Sequence, residues 1–171
     1  MKIFTNGCWD ILSPAHYNLL NLCRDIADDN SCFFSGHVLV AIDSDRKIKE
    51  DKGKYRPIYS FEQRRDNLLS LKSLNSSLID EVVQFDTNEE LYKIIVDYSP
   101  DQIVKGSDWT NNVVGSDLAK VIYYERDKRY SSTDIIGKII HKYKDVKNFQ
   151  EECMTRLVRE GEKLNLYKDE F

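Results

Sequence analysis

A chain of 171 residues, 41% hydrophobic and 32% charged, is enough for one domain with a real core and a short appendage. A net charge of −4 gives no bulk electrostatic reason to bind nucleic acid or a membrane surface, and no apolar run is long enough to span a bilayer. The opening residues hold a turn and a histidine rather than a leader peptide, and Cys8, Cys23, Cys32 and Cys153 lack paired metal-ligand spacing, so reduced thiols in a cytoplasmic protein are expected.

In chain order, Lys2 to Thr5 reads as a short strand and Pro14 to about Asp28 as a helix with Leu19, Leu20, Cys23, Ile26 and Ala27 on one face. "HVLVAI", His37 to Ile42, is a continuous apolar run rich in β-branched residues, the pattern of a strand buried on both sides. A basic loop follows, then a helix from about Ser60 to Leu74. "DEVVQF" around Val82 is another strand, and Asn88 to Tyr98 a helix capped by Asn88, with Pro100 just past its end. "DQIVKG" and "AKVIYYE" are two further strands, and a helix begins at Ser132 and runs to His141. From Lys142 the chain is highly charged, with Phe149, Cys153, Leu157 and Val158 at helical spacing before Gly161. The expected fold is therefore α/β, a Rossmann-like doubly wound parallel sheet over residues 1–141 with helices on both faces. Residues 142–171 form a C-terminal helical extension, either a surface appendage or a subunit contact. Such sheets bind ligands at the carboxyl ends of their strands, which singles out the turn after the first strand.

That turn reads "TNGCWDILSPAH". Ser13 is a good N-cap, its oxygen placed to accept a first-turn N–H, and Pro14 fits the first helical position. His16 is then the third helical residue. Helix N-termini bind phosphate through unpaired N–H groups, and an imidazole there adds a hydrogen bond or a charge. Alone, Ser-x-x-His reads as a cap beside an incidental surface histidine. The longer stretch resembles the signature of the cytidylyltransferase-like nucleotidyltransferases, Gly-Cys-Phe-Asp followed by His-x-Gly-His. Gly7, Cys8, Asp10, Leu12 and His16 match and Trp9 replaces Phe. Ser13 stands in the slot of the first His, and Ala15 in that of Gly.

Three later segments carry the same resemblance. Arg46 to Arg65 holds eight basic and three acidic residues, a local net of +5. Its "KG…RP…S-x-EQR" pattern is similar to the heptose-phosphate adenylyltransferases, with Lys52, Arg56 and Arg64 at matching positions. "VKGSDW" resembles the "GDDW" and "KGGDY" turns. "RDKRYSSTDIIGKI" resembles the Ser-Ser/Thr-Thr motif at the start of the last helix, with Arg126 matching an Arg of glycerol-3-phosphate cytidylyltransferases and Arg129 replacing a usual Gly.

The resemblance covers about Lys2 to Ile140 and implies nucleotidyl transfer from a nucleoside triphosphate to a phosphorylated polyol or sugar, with pyrophosphate released. It implies His16 and Ser13 at the α-phosphate, and Lys52 and Arg126 on the departing pyrophosphate. Thr5, Asn6, Gly7, Cys8, Trp9 and Asp10 would hold the nucleotide from one side. Gly106 and Tyr130 would also bind it, with Asp108 and Trp109 beside its base and ribose and Ser131, Ser132 and Thr133 on its outer phosphates. Arg56 and Arg64 would meet the acceptor's phosphate. Mg²⁺ is expected to travel with the triphosphate, with no metal site of the protein's own, and a homodimer is expected. Trp109 and Arg126 point to CTP, the favoured nucleotide, because the Lys52–Arg64 loop should read phosphates and not the base. The Lys52–Arg64 loop, "VKG" and "VVGSD" point to ATP and a heptose phosphate. A third alternative, from the departures at Ser13, Ala15 and Arg129, is a nucleotide-binding protein without turnover.

Overall fold

The computed structural model describes residues 1–28, 36–73, 76–109, 113–125 and 131–143. Two compact units divide the chain, Met1–Tyr130 and Ser131–Phe171. The first contains β1 (Lys2–Gly7), α1 (Pro14–Asp28), β2 (His37–Asp43), α2 (Asp45–Lys52), α3 (Phe61–Leu69), β3 (Lys72–Ser73), β4 (Ser76–Ser77), β5 (Glu81–Phe85), α4 (Asn88–Tyr98), β6 (Gln102–Gly106) and β7 (Lys120–Tyr124). The second contains α5 (Ser132–Tyr143).

Five strands form one parallel sheet in the order β5-β2-β1-β6-β7. The connections from β1 run outward on one side through β2 to β5; α4 then carries the chain back across β1 to β6. The direction of winding reverses between β1 and β6, so a crevice opens at their carboxyl ends, Gly7 and Gly106.

Alternation along the strands sends side chains to two cores, one on each face of the sheet. Ile3, Val38, Val40, Ile42 and Val104 pack with Leu20, Cys23 and Ala27 of α1 and Leu68 of α3. Phe4, Leu39, Ala41, Phe85 and Ile103 pack with Leu91 and Ile95 of α4. The doubly wound architecture expected from the sequence is the one found. At the amino end of the sheet, the Tyr98 hydroxyl donates to the His37 carbonyl (2.9 Å) and lies 2.9 Å from His37 Nδ1, with its acidity lowered chiefly by burial.

Four local expectations are corrected. The first half of the basic loop is the helix α2, capped by Ser44, whose Oγ accepts from Lys47 N. Its charges alternate in sign at i,i+4 spacing, Arg46–Glu50 (2.8 Å) and Lys47–Asp51 (3.0 Å), which makes a charge-rich segment helical. The helix from Ser60 stops at Leu69, not Leu74, because Leu71 turns back to pair with Leu78 and seat Leu78 and Ile79 in the core. Thr87 rather than Asn88 caps α4, its hydroxyl accepting from Glu90 N. Ser13 directs its hydroxyl to the His16 ring, not onto a first-turn N–H.

Candidate active site

His16 is held from behind. Ser13 N donates to His16 Nδ1 (3.1 Å), and Ser13 Oγ lies 2.9 Å from the same nitrogen. The pair is a variant of the capping box, with the third helical residue reaching back to the N-cap amide through an imidazole instead of a Glu or Gln. A backbone N–H can only donate, so Nδ1 is the acceptor and the neutral ring carries its proton on Nε2. Trp9 completes the support. Its indole is buried, its ring centroid lies 5.5 Å from that of His16, and its indole nitrogen would stand 3.4 Å from a Cβ on Gly7. Trp9 adopts a left-handed backbone (φ 51°), which turns the chain sharply out of β1.

The next residue, Asp10, is 2% exposed, and both its carboxylate oxygens are occupied. They accept from Arg56 Nε (2.7 Å), Ile58 N (2.9 Å) and Tyr59 N (2.9 Å). A carboxylate 46 residues upstream of Arg56 thus fixes the path of the 56–59 loop beside the helix N-terminus. Beyond that anchor Ser60 begins α3 with a full capping box to Gln63. Between the anchor and α2, Gly53 turns at φ 93° and the tip of the loop is open, with Lys52 exposed and Tyr55 79% exposed.

Arg64 is completely buried and belongs to the frame of the site, not its open face. Its guanidinium donates to Tyr59 O (3.2 Å), Cys8 O (2.6 Å), Asp43 O (2.9 Å) and Asp45 Oδ1 (2.6 Å). One side chain thereby joins the ends of β1 and β2, the start of α2 and the loop. The Arg56 side chain is also nearly buried, against Asp10. The two arginines expected at the acceptor's phosphate are thus both buried and engaged with partners of the protein's own, Arg56 with Asp10 and Arg64 with Asp45.

On the other side of the crevice, Trp109 N closes a turn onto Gly106 O (3.1 Å), and Trp109 is 56% exposed. Asp108 folds over Gly106, where a Cβ would lie 2.5 Å from Asp108 Oδ1 and would push that carboxylate aside. Beneath the turn lies Lys105, which the sequence reading did not single out. It is 4% exposed, donates to Asn6 O (3.1 Å) and Asn6 Oδ1 (2.9 Å), and its ammonium sits 4.7 Å from the Trp109 ring centroid. The only signal in the sequence is a lysine near the end of an otherwise apolar strand. Burial lowers its pKa to about 8, against the opposing pull of Asp43 and Asp108. Asp43 in turn is raised, chiefly by burial.

A depressed lysine pKa has a sign in stability. The cost of keeping Lys105 charged is fully present below about pH 8 and is relieved as the pH rises towards 10.5. Wild-type stability minus that of K105M is therefore expected to increase across this window by up to about 3 kcal/mol. Urea unfolding of both proteins at pH 8 and 10 checks it; a constant difference would show that Lys105 is not buried as a charge.

Burial also pushes the Cys8 thiol up, away from the reactive thiolate. Thr5 is buried at the end of β1, and Asn6 and Gly7 are partly exposed there. Among the described residues no three His, Cys, Asp or Glu side chains are grouped to hold a metal, and Asp10 has no oxygen to spare for one. No helix among them is long and apolar enough to cross a membrane. Arg126 and Tyr130 lie outside the described residues. Ser131, Ser132 and Thr133 open α5 in the second unit, where Ser131 is the N-cap: its carbonyl accepts from Ile135 N (2.9 Å) and its hydroxyl from Asp134 N (3.4 Å).

Comparison with known proteins agrees with this frame. A family model described as cytidylyltransferase-like matches residues 4–160. Among curated relatives, the bifunctional protein HldE of Helicobacter pylori (strain HPAG1) is 36% identical over 145 residues, covering 84% of this chain. That of Caulobacter vibrioides is 34% identical over 142 residues, covering 80%. The chain spans only 28% and 26% of the length of these two relatives. A solved structure, the lipopolysaccharide core biosynthesis protein from Thermoplasma volcanium, shares the fold at a TM-score of 0.59 and 18% identity, covering 75% of this chain and 98% of its own.

Proposed function

The chain belongs to the cytidylyltransferase-like family and is a nucleotidyltransferase; from that premise we propose that it transfers the adenylyl group of ATP to the phosphate of a heptose or similar sugar. The observation that carries the reading is the His16 ring, held by Ser13 N and Trp9 with its proton on Nε2 at the N-terminus of α1. A fixed N–H donor at a helix N-terminus suits an oxygen on which negative charge grows.

In the proposed reaction, an oxygen of the acceptor phosphate attacks the α-phosphorus in line. The new P–O bond forms as the bond to the bridging oxygen breaks, and that electron pair leaves with pyrophosphate. No protein nucleophile is needed, and catalysis is positioning and charge stabilisation. His16 Nε2–H would hold the α-phosphate oxygen, and Lys52, exposed at the end of α2, would meet the departing phosphates. Asp10, Arg56 and Arg64 would shape the loop that receives the acceptor. Mg²⁺ would enter as part of the substrate, as its triphosphate complex.

Similarity to the HldE proteins, taken with the resemblance of the Lys52–Arg64 loop and "VKG" to heptose-phosphate adenylyltransferases, favours ATP over the CTP that Trp109 first suggests. The exposed indole of Trp109 keeps CTP with a polyol phosphate as the second reading. Pyrophosphate release with each of the four triphosphates, across a panel of sugar and polyol phosphates, tests both. ATP with a heptose phosphate is expected to exceed CTP at least about tenfold in kcat/KM, the worth of one unpaired polar group at a base edge. The reverse preference would establish the second reading, and no release with any pair would remove both.

A further inference from the structure

Lys105 is the one buried cation at the mouth of the crevice, among the described residues, whose ammonium reaches both of its sides. The guanidiniums of Arg24 and Arg64 are spent on framework carbonyls and carboxylates. Lys105 Nζ instead meets the Asn6 side chain on β1 and the Trp109 ring beyond β6. Both neighbours are partly or largely exposed, so a change at Lys105 is transmitted to surfaces that a ligand can touch.

We propose that Lys105 is a positioning residue for the nucleotide, which through Asn6 and Trp109 locks the turn after β1 and the turn after β6 into one receiving surface. The proposal rests on the nucleotidyltransferase reading and deepens it. The ammonium donates to the amide oxygen of Asn6, which fixes that side chain's orientation, and lies against the indole, which a cation holds and a neutral amine does not. The charged groups that bear on it are Asp43 at the end of β2 and Asp108 on its own turn, while on β7 its register neighbour is Tyr123. Its protonation changes near pH 8, within the range an enzyme can be assayed. A bound polyanion favours the protonated form, so linkage makes nucleotide affinity fall as the proton is lost.

The test is equilibrium binding of ATP and CTP at fixed Mg²⁺, without acceptor, between pH 7.5 and 9.5, for wild type, K105M, N6A and the double variant. Wild-type Kd for the preferred nucleotide is expected to rise about tenfold across that range, while K105M binds weakly and independently of pH. N6A and K105M should not add in the double variant, because each removes the same tie. In turnover, K105M should raise KM about tenfold and leave kcat within about threefold. Intrinsic fluorescence of the ligand-free wild type should show a transition near pH 8 that W109F abolishes, a readout that needs neither ligand nor a lysine variant that folds. Full additivity, an unchanged Kd in K105M, or a fluorescence transition that survives in W109F would each overturn the proposal. Failure of wild type to bind any triphosphate would overturn the functional reading and this proposal with it.

Discussion

Replacing His16 by alanine is expected to lower turnover by two to three decades with the fold intact. The ring is partly exposed at the first turn of α1, and Ser13 and Trp9, on the same short stretch of chain, hold it in place. What is lost is a donor whose direction is set in advance. Removing one preorganised contact to a developing oxyanion costs roughly 3–4 kcal/mol of transition-state stabilisation. Because the contact strengthens as charge builds, the loss should fall on kcat more than on KM. Single-turnover pyrophosphate release, with circular dichroism to verify folding, measures it. His16→Gln, whose Oε1 can take the Ser13 N–H as in an ordinary capping box while its Nε2 donates, lacks the ring contact with Trp9 and the imidazole's capacity for charge, and should recover only part of the rate. Turnover of H16A near wild type would remove His16 from the chemistry.

Asp10→Ala is expected to be the most destabilising single change at the site. It strands Arg56 as a nearly buried cation and removes the acceptor from Ile58 N and Tyr59 N at once. Breaking a buried ion pair on one side costs about 3–5 kcal/mol, far more than the net worth of the pair, because the remaining charge stays out of water. Asp10→Asn keeps the shape and one acceptor oxygen and should cost less. Urea denaturation of the three proteins gives the order. If D10A unfolds at the wild-type midpoint, the loop is not anchored through this carboxylate.

The chain announces its fold through features that act over short spans. The helix α1 is legible because Pro14 fixes its start and Leu20, Cys23 and Ala27 recur at one face; β2 is legible because five apolar residues, Val38 to Ile42, follow one another. The helix α2 is hidden because its pattern is charge rather than hydrophobicity: one buried residue, Ile48, anchors it, and ion pairs do the rest. The site divides the same way. Ser13, His16 and Trp9 lie within one turn and can be read together. The partners of Asp10, Arg64 and Lys105 lie 46, 56 and 99 residues away and are set by strand order, which no local pattern encodes. A basic residue in a phosphate-binding segment reads as a ligand for phosphate. Arg64 has the right chemistry for that and is instead enclosed by carbonyls, a distinction that only burial reveals.

The loop that hangs between α2 and α3 is fastened at three points: Asp10 grips it at Arg56 and at the amides of residues 58 and 59, and Arg64 ties its far end back to Cys8 and Asp43. For protein engineering this makes it a cassette with fixed ends. Lys54 and Tyr55 at its tip can be exchanged with Lys52 kept in place, since both side chains are exposed. A graft from a relative that carries the tip alone should retain the scaffold, whereas one that cuts between residues 56 and 64 without bringing Asp10 and its matching arginines along would inherit a loop with nothing to hold it.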